Sequence, residues 1–441
     1  MSFLSADREL ARDSYYAATM RRTQAFASLE GSVDVDAGIV GGGLAGLSAA
    51  IELADRGHRV VLLEANEVGW GASGRNGGQV IAGLACDPTV IEKQLGIDEA
   101  RRIWAMTIEG VDLIHARCRR FGIECDWQPG FLLLAVNARK ARELRHWRDR
   151  MARDYGYETR WIEPRNLPQW IASPRFHSGL HDRRGGHLNP LKYSLGLARA
   201  AAQLGVRIFE HSQVTRVSSG APATLRTANG EVRAAHVLLA GNVYLQDLVD
   251  GLASRIMPVG TYIIASQDLG ATLARSLIPS QSAVCDSNFV LDYFRPTPDH
   301  RLLFGGRVSY SAATPANLAD GMQQRMAYTF PQLKDTQVKY AWGGFIDISM
   351  NRAPDFGRLA DVMHDSKARQ LQNVYYLQGF SGHGLALTGL AGKLVAEAID
   401  GNASRFDTFA RIRHRPFPGG RLLRTPALVA GMAYYRLKDL L

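Results

Sequence analysis

Residues 33–64 constrain the fold of this chain more than any other stretch of its sequence. An apolar run ends at Val40, glycines follow at Gly41, Gly43 and Gly46, and an Ala- and Leu-rich segment leads to the second apolar run RVVLLE. This order predicts a strand, a glycine turn, a helix and a second strand, which together form a βαβ unit of about 30 residues. Such a unit indicates a Rossmann-like α/β domain with helices packed on a parallel sheet.

The glycine turn is suited to the pyrophosphate of a dinucleotide. Gly41 permits a sharp turn, Gly43 lets a phosphate approach the backbone, and Gly46 lets the helix pack closely on the strand, so that the anion lies at the positive N-terminus of the helix. Glu64 ends the second strand about 20 residues later, where a carboxylate can accept hydrogen bonds from both ribose hydroxyls and disfavours a 2′-phosphate. A glycine-rich turn alone could simply join a strand to a helix, but the presence of Glu64 favours dinucleotide binding.

The composition of the 441-residue chain is that of a globular protein of two domains. Lys and Arg number 52 against 42 Asp and Glu, but the positive charges are scattered, so we expect an anionic substrate rather than a nucleic acid. The four cysteines show neither a C-x-x-C spacing nor a His-rich pattern nearby, which favours a reducing compartment and predicts no metal site. The N-terminal segment is polar and no run of about 18 apolar residues occurs, so the sequence predicts a cytoplasmic protein without a membrane span.

A second glycine-rich segment, EVGWGASGRNGGQVIAG, follows Glu64. Glycine admits positive φ and close backbone approach, so such a segment often lies against a flat or anionic group. Ser73, Arg75, Asn76 and Gln79 add side chains that can form hydrogen bonds. We expect this segment to contact the second half of the cofactor, although a surface loop could have the same composition.

A third glycine-rich segment lies near the C-terminus, where VYYLQGFSGHGLALTGLAG repeats the order of strand, glycine loop and helix. Gly379, Gly382 and Gly384 surround His383, and the helix is predicted to begin near Leu385. A second helix N-terminus beside the same cofactor suggests an electron-rich group such as the pyrimidine ring of a flavin. The alternative is an ordinary strand-to-helix turn.

The remaining sequence predicts a region dominated by antiparallel strands. Residues 257–308 are predicted to form long strands with a turn at PTPDH, and residues 88–160 to form helices around the short strand GFLLLAV. A hairpin is predicted at Asn229 and Gly230, and its second strand ends in small residues, as a buried parallel strand beside a ligand does. Residues 1–32 are expected to form an arm on the surface.

Taken together, these motifs resemble the flavoproteins of the D-amino-acid-oxidase-like superfamily, which includes the sarcosine and glycine oxidases. Nearly the whole chain takes part, and the segments GHLNPLKY and PFPGGRLLRTP specifically resemble the γ-glutamylputrescine and γ-glutamylpolyamine oxidoreductases. The resemblance implies an α/β fold with a Rossmann-like FAD-binding domain and a substrate domain built on a largely antiparallel sheet. We expect residues 1–88, 184–250 and 341–441 to form the FAD-binding domain, and residues 89–183 and 251–340 to form the substrate domain.

The resemblance also implies noncovalent FAD in an extended conformation. The pyrophosphate is expected on the glycine turn, the ribose on Glu64, the adenine beside the backbone of Val214, and the isoalloxazine between the second and third glycine-rich segments. The residues expected to contact FAD are Gly41, Gly43, Leu44, Ala45, Gly46, Glu64, Ala65, Gly71, Ala72, Ser73, Arg75, Asn76, Gly77, Gly78, Gln79, Val214, Ala240, Gly241, Asn242, Gly382, His383, Gly384 and Leu385.

Three departures from these families bear on the reaction. The arginine that holds the substrate carboxylate in glycine and D-amino-acid oxidases aligns with Ile346, and the lysine implicated in oxygen activation in sarcosine oxidases aligns with Leu303. No cysteine lies beside Ser349 and Met350, where some relatives attach the flavin covalently. The chain is therefore expected to be a FAD-dependent amine oxidoreductase, with oxidase favoured over dehydrogenase, that converts the terminal amine of a γ-glutamylated polyamine to the aldehyde and ammonia, and to hydrogen peroxide where oxygen is the acceptor. The alternatives are a sarcosine-like or other secondary amino-acid oxidase or dehydrogenase, and a flavin-binding module without catalysis.

Seven residues are candidates for the substrate site. Each has a structural alternative: aromatic residues on strands often belong to the core, Asp286 could begin a turn instead of attracting the amine, and Arg307 could pair with an acid instead of the glutamyl carboxylate. His383 could orient the flavin instead of contacting the substrate. The candidates are Tyr262, Asp286, Tyr293, Arg307, Trp342, Phe380 and His383.

Overall fold

The computed structural model describes residues 14–309, 318–362 and 371–418. Its strands in chain order are β1 (Gly31–Val40), β2 (Val60–Leu63), β3 (Gln79–Val80), β4 (Gln128–Ala135), β5 (Arg160–Ile162), β6 (Ser178–His187), β7 (Arg207–Phe209), β8 (Arg216–Ser218), β9 (Ala223–Arg226), β10 (Gly230–Leu239), β11 (Ile256–Ser266), β12 (Ala283–Asp286), β13 (Tyr293–Pro296), β14 (Leu302–Ser309), β15 (Val338–Ser349), β16 (Asp355–Arg358) and β17 (Val374–Gln378).

The α-helices of the same ranges are α1 (Tyr15–Thr19), α2 (Leu44–Asp55), α3 (Ala72–Arg75), α4 (Pro88–Leu95), α5 (Ile97–Phe121), α6 (Ala138–Tyr155), α7 (Pro190–Gln203), α8 (Asp250–Ala253), α9 (Gly270–Leu277), α10 (Leu318–Thr329), α11 (Gly384–Ile399) and α12 (Ser404–Ala410). Among these described helices, none combines the length and the apolar character needed to cross a bilayer.

The first sheet contains the predicted βαβ unit, which is confirmed. Its strand order is β16–β17–β10–β1–β2–β7, and the strands from β17 to β7 pair in parallel. Residues of β1 contribute to two apolar clusters: Ala37 and Ile39 belong to the cluster that includes α2 and α11, whereas Val33 and Val35 belong to the cluster that includes β9. Because both faces of the sheet are covered there, its central strands β1, β2 and β10 end in buried apolar residues. β9 and β10 pair antiparallel on either side of Asn229, as the predicted hairpin requires.

The second sheet is largely antiparallel, as predicted. Its order is β15–β11–β14–β13–β12–β4–β6–β3, with a turn at PTPDH between β13 and β14. The helices α9 and α10 contribute to the apolar cluster on one face of this sheet. β3 and most of β15 belong to this sheet, although residues 1–88 and 341–441 were predicted to form part of the FAD-binding domain. The bounds of the two domains stay a prediction.

The N-terminal arm was predicted to lie on the surface. Most of its described residues are exposed, but its two tyrosines are not. Tyr15 and Tyr16 on α1 are buried, and the Tyr16 side chain has no exposed surface. Both rings pack in an apolar cluster with Leu303 and Trp342 of the second sheet. Aromatic burial of this size outweighs the polar composition around it, which is why composition alone did not predict that these two tyrosines are buried.

Candidate active site

Gly41 and Gly46 shape the turn between β1 and α2. Gly41 has a φ of +112°, and a Cβ atom on it would lie 2.6 Å from the carbonyl oxygen of Ala240 on the neighbouring strand. A Cβ atom on Gly46 would lie 2.0 Å from the carbonyl oxygen of Gly41. No side chain fits at either position without movement of the backbone, so both glycines are required by close packing.

The N-terminus of α2 opens onto this turn. The Leu44 N–H donates to Oγ of Ser73 (2.9 Å), and a Cβ atom on Gly43 would lie 2.7 Å from the same oxygen. Ser73 therefore brings the second glycine-rich segment against the helix end that was predicted to hold a pyrophosphate.

Glu64 lies at the end of β2 beside the glycine turn. Its Oε2 accepts the Gly42 N–H (2.6 Å) and its Oε1 accepts the Asn66 N–H (2.9 Å). Burial raises the pKa of the carboxyl group, while these backbone hydrogen bonds oppose the rise. The side chain is thus fixed where the sequence predicts the ribose contact.

The polar side chains of the second segment hold it to neighbouring elements. Arg75 Nη1 donates to the Gly343 carbonyl (2.9 Å) and its guanidinium lies over the Trp70 ring, whereas Gln79 Nε2 donates to the Val284 carbonyl (2.9 Å). Asn76 donates to carbonyls of α3 and accepts the Gly78 N–H (2.8 Å). The predicted contacts of these three residues with a cofactor stay a prediction.

The third glycine-rich segment leads into α11. Gly379 and Gly382 have φ values of +74° and +88°, and Ser381, which is not a glycine, has +53°. α11 begins at Gly384, and its N-cap residue His383 makes no capping hydrogen bond through its side chain. The helix end therefore keeps N–H groups that can face an electron-rich ligand.

A single strand, β15, contacts the second and third glycine-rich segments and Asn242, which follows β10. Trp342 Nε1–H donates to the Arg75 carbonyl (2.9 Å), Asn242 Nδ2 donates to the Phe345 carbonyl (3.4 Å), and Asp347 Oδ2 accepts the Gly379 N–H (2.5 Å). Sequence reasoning did not single out Asp347. The available signal was a lone carboxylate between two isoleucines, near the end of the predicted strand.

Burial raises the pKa of Asp347 to about 7. Asp347 is 4% exposed, and besides the Gly379 contact its backbone carbonyl accepts the Ser381 N–H (2.9 Å). The protonated form is favoured in the folded protein, so the stability that this group contributes is complete below pH 4 and is lost as the pH rises through about 7.

Asp347→Asn is expected to remove this dependence on pH, because the amide stays neutral while its oxygen can still accept the Gly379 N–H. Between pH 5 and pH 8 the wild type should lose on the order of a few kcal/mol of unfolding free energy relative to the variant. Chemical denaturation at both pH values measures the unfolding free energies of the wild type and the variant. Asp36→Asn is the control, because Asp36 is paired with Arg59 at the surface and its pKa is lowered to about 2. An equal response of wild type and Asp347→Asn to pH would contradict the assignment.

Three of the substrate candidates have surroundings that favour their structural alternatives. Tyr262 and Trp342 are each 1% exposed within apolar clusters. Asp286, whose pKa is raised to about 6 by burial, pairs with Arg175 (2.6 Å) and accepts the Asn288 N–H (3.0 Å), as a turn-forming acid does. The side chain of Arg307, on β14, lies outside the described residues.

The other three candidates lie beside the glycine-rich segments. The ring of Tyr293 packs against Gly77: a Cβ atom placed on that glycine would lie 2.6 Å from the ring. Phe380 packs on Phe356, with ring centroids 5.6 Å apart. Burial lowers the pKa of His383 to about 4, so its ring is neutral at pH 7.

Ile346 and Leu303, which replace the arginine and the lysine of the related oxidases, both have apolar side chains in contact with other parts of the structure. Cδ1 of Ile346 would lie 3.7 Å from a Cβ atom on Gly382, so Ile346 faces the third glycine-rich segment. Leu303 is 2% exposed in the aromatic cluster of the N-terminal arm.

These features fit the FAD that the resemblance implies. Two helix N-termini, a glycine turn and a fixed carboxylate match a dinucleotide, and Asn242 adds a buried acceptor. Asn242 has a φ of +52°, and its Oδ1 has no hydrogen-bond partner among the described residues. A buried amide oxygen left in this way indicates a ligand that donates a hydrogen bond, as the flavin or ribityl groups can.

Comparison with known proteins agrees with this site. Residues 36–398 match the family model described as FAD dependent oxidoreductase. Gamma-glutamylputrescine oxidoreductase of Escherichia coli (strain K12) is 43% identical to this chain, and the match covers 97% of this chain and 98% of that protein. The probable oxidoreductase OrdL of Haemophilus influenzae is 37% identical, and the match covers 97% of each chain. The crystal structure of glycine oxidase from Geobacillus kaustophilus shares the fold, with a TM-score of 0.68 and 22% identity over 83% of this chain and 95% of that one. The resemblance found in the sequence is confirmed, and the chain belongs to the family of FAD-dependent oxidoreductases.

Proposed function

We propose that this enzyme oxidises the terminal primary amine of a γ-glutamylated polyamine, such as γ-glutamylputrescine, to the aldehyde with release of ammonia. The position of Ile346 carries the proposal: an apolar side chain faces the third glycine-rich segment where amino-acid oxidases place the arginine for an α-carboxylate. A small amino acid has no anchor there, whereas a chain that ends in a primary amine needs none. The similarity to gamma-glutamylputrescine oxidoreductase supports the same substrate class.

The surroundings of the site suit a neutral amine. FAD, when bound, accepts a hydride from the carbon that carries the amine, and hydrolysis of the resulting imine gives the aldehyde and ammonia. An alkylammonium with a pKa of about 10 must first lose a proton, and an apolar site favours the neutral form. Ile346 and Phe380 supply apolar surface, and the neutral ring of His383 offers an unprotonated nitrogen that can accept a hydrogen bond from the amine.

Molecular oxygen is the proposed electron acceptor, with hydrogen peroxide as the reduced product. Leu303 aligns with the lysine that is implicated in oxygen activation in sarcosine oxidases, and it lies in an apolar cluster. Oxygen would therefore have to react with the reduced flavin without the positive charge of that lysine. Oxygen uptake during turnover, compared with reduction of an artificial quinone, distinguishes an oxidase from a dehydrogenase.

Anaerobic mixing of the FAD-loaded protein with γ-glutamylputrescine is expected to bleach the flavin band. N-acetylputrescine is the matched control, since it keeps the terminal amine and lacks the glutamyl carboxylate, and it should reduce the flavin far less efficiently. An unchanged spectrum at high substrate concentration would reject the proposal. Formaldehyde from sarcosine would indicate a secondary-amine oxidase, and bound FAD that no amine reduces would indicate a module without catalysis.

A further inference from the structure

We propose that Tyr16, on the N-terminal arm, is a positioning residue for the flavin, which it serves by holding the backbone of residues 75–77 together with Arg295 and Trp342. The inference rests on the proposed location of the isoalloxazine beside the second glycine-rich segment. It assigns a role to the N-terminal arm.

Three successive carbonyl groups of the segment are bound by three buried side chains. Trp342 Nε1–H donates to the Arg75 carbonyl (2.9 Å), Tyr16 O–H donates to the Asn76 carbonyl (2.8 Å), and Arg295 Nε–H donates to the Gly77 carbonyl (2.7 Å). The next carbonyl, of Gly78, accepts the Leu188 N–H (2.9 Å). The path of the backbone beside the flavin is thus set from the side of the second sheet.

The three donors also hold one another. Arg295 Nη2 donates to the Tyr16 oxygen (3.0 Å), and the rings of Tyr16 and Trp342 lie edge to face with centroids 5.5 Å apart. Tyr16, Arg295 and Trp342 are 0%, 3% and 1% exposed. Because buried polar groups are costly to leave unpaired, loss of one donor frees a carbonyl that the remaining two cannot reach.

Arg295 is fixed by further contacts that make it a rigid support. Its guanidinium also donates to the carbonyls of Leu188 and Pro296, and it meets Nδ1 of His187 at 3.4 Å. Nε2 of His187 lies 2.9 Å from the Gln281 carbonyl and must carry the hydrogen, so Nδ1 of the neutral ring can accept from Arg295. Burial, which lowers the pKa of His187 to about 3, keeps the ring neutral.

Tyr16→Phe tests the role by removing only the hydroxyl group. We expect the variant to bind FAD about tenfold more weakly and to show a changed visible circular dichroism spectrum of the bound flavin, since one carbonyl beside the ring becomes free to move. Tyr15→Phe is the matched control. Tyr15 lies on the same helix, but its hydroxyl donates to Asp299 (2.6 Å) instead of to a carbonyl of the segment, so the flavin spectrum and FAD affinity of this variant should match the wild type.

Trp342→Phe gives an independent test, because it removes the donor to the Arg75 carbonyl and keeps a ring in the cluster. The same spectral change is expected, and it decides the matter if Tyr16→Phe does not fold. Wild-type FAD affinity and flavin spectrum in a folded variant would overturn the role. These measurements need no amine, so a failed amine panel would refute the proposed substrate and leave this inference standing.

Discussion

Substituting alanine for Gly41 is expected to give protein that folds less stably and purifies without FAD. The alanine would have to adopt a φ of +112°, and its Cβ atom would press on the Ala240 carbonyl at 2.6 Å. Relief requires that β1 and β10 separate at the turn on which the pyrophosphate is expected to bind. We expect FAD affinity to fall about 100-fold, which corresponds to about 2.7 kcal/mol, and the measurement is FAD content after purification followed by titration of the apoprotein.

Gly57→Ala is the matched control for this experiment. Gly57 follows α2 in the same βαβ unit and also has a positive φ of +86°, but nothing lies within 4 Å of a Cβ atom placed on it. Its substitution should cost only the backbone strain, about 1 kcal/mol, and should leave FAD binding intact. Equal loss of FAD in both variants would show that general instability, rather than the shape of the turn, releases the cofactor.

The parts of the site that the sequence predicted are those encoded by local spacing. The turn at Gly41, the acid at Glu64 and the helix after His383 each depend on residues within one supersecondary unit, where the order of strand, glycine and helix leaves few alternatives. For the same reason the βαβ unit and the hairpin at Asn229 lie where they were predicted.

The contacts that the sequence could not give are those between distant side chains. Tyr16 reaches Asn76 across 60 residues, and Arg175 reaches Asp286 across 111. Side chains on a strand point alternately to the two faces of the sheet. The sequence does not tell which face is covered by another layer, so Trp342 could equally have lined a cavity. Asp286 likewise pairs with Arg175, and no rule based on sequence spacing predicts a partner at that distance along the chain.

Introducing arginine at Ile346 is expected to abolish efficient oxidation of γ-glutamylputrescine. The guanidinium would lie beside the third glycine-rich segment, where the Ile346 side chain now lies. In solution the substrate amine is an ammonium group, which loses its proton only on entering the site. At about 6 Å and an effective dielectric constant of about 20, the guanidinium would oppose entry of that charged form by about 3 kcal/mol. The rate constant for anaerobic flavin reduction, divided by the half-saturating substrate concentration, should therefore fall about 100-fold. Binding of a small carboxylate such as benzoate, followed by the perturbation of the flavin spectrum, should be gained at the same time.

Ile346→Met separates the charge from the size of the new side chain, because methionine is nearly as long as the arginine stem and carries no charge. Its flavin should be reduced by γ-glutamylputrescine within about threefold of the wild-type rate, since swaps between apolar residues of similar volume are tolerated. Undiminished reduction in Ile346→Arg would mean that this position does not face the amine, and the argument from the absent arginine would lose its basis. Comparable losses in both variants would instead assign the effect to packing against Gly382, because a Cβ atom placed on that glycine would lie only 3.7 Å from Cδ1 of Ile346.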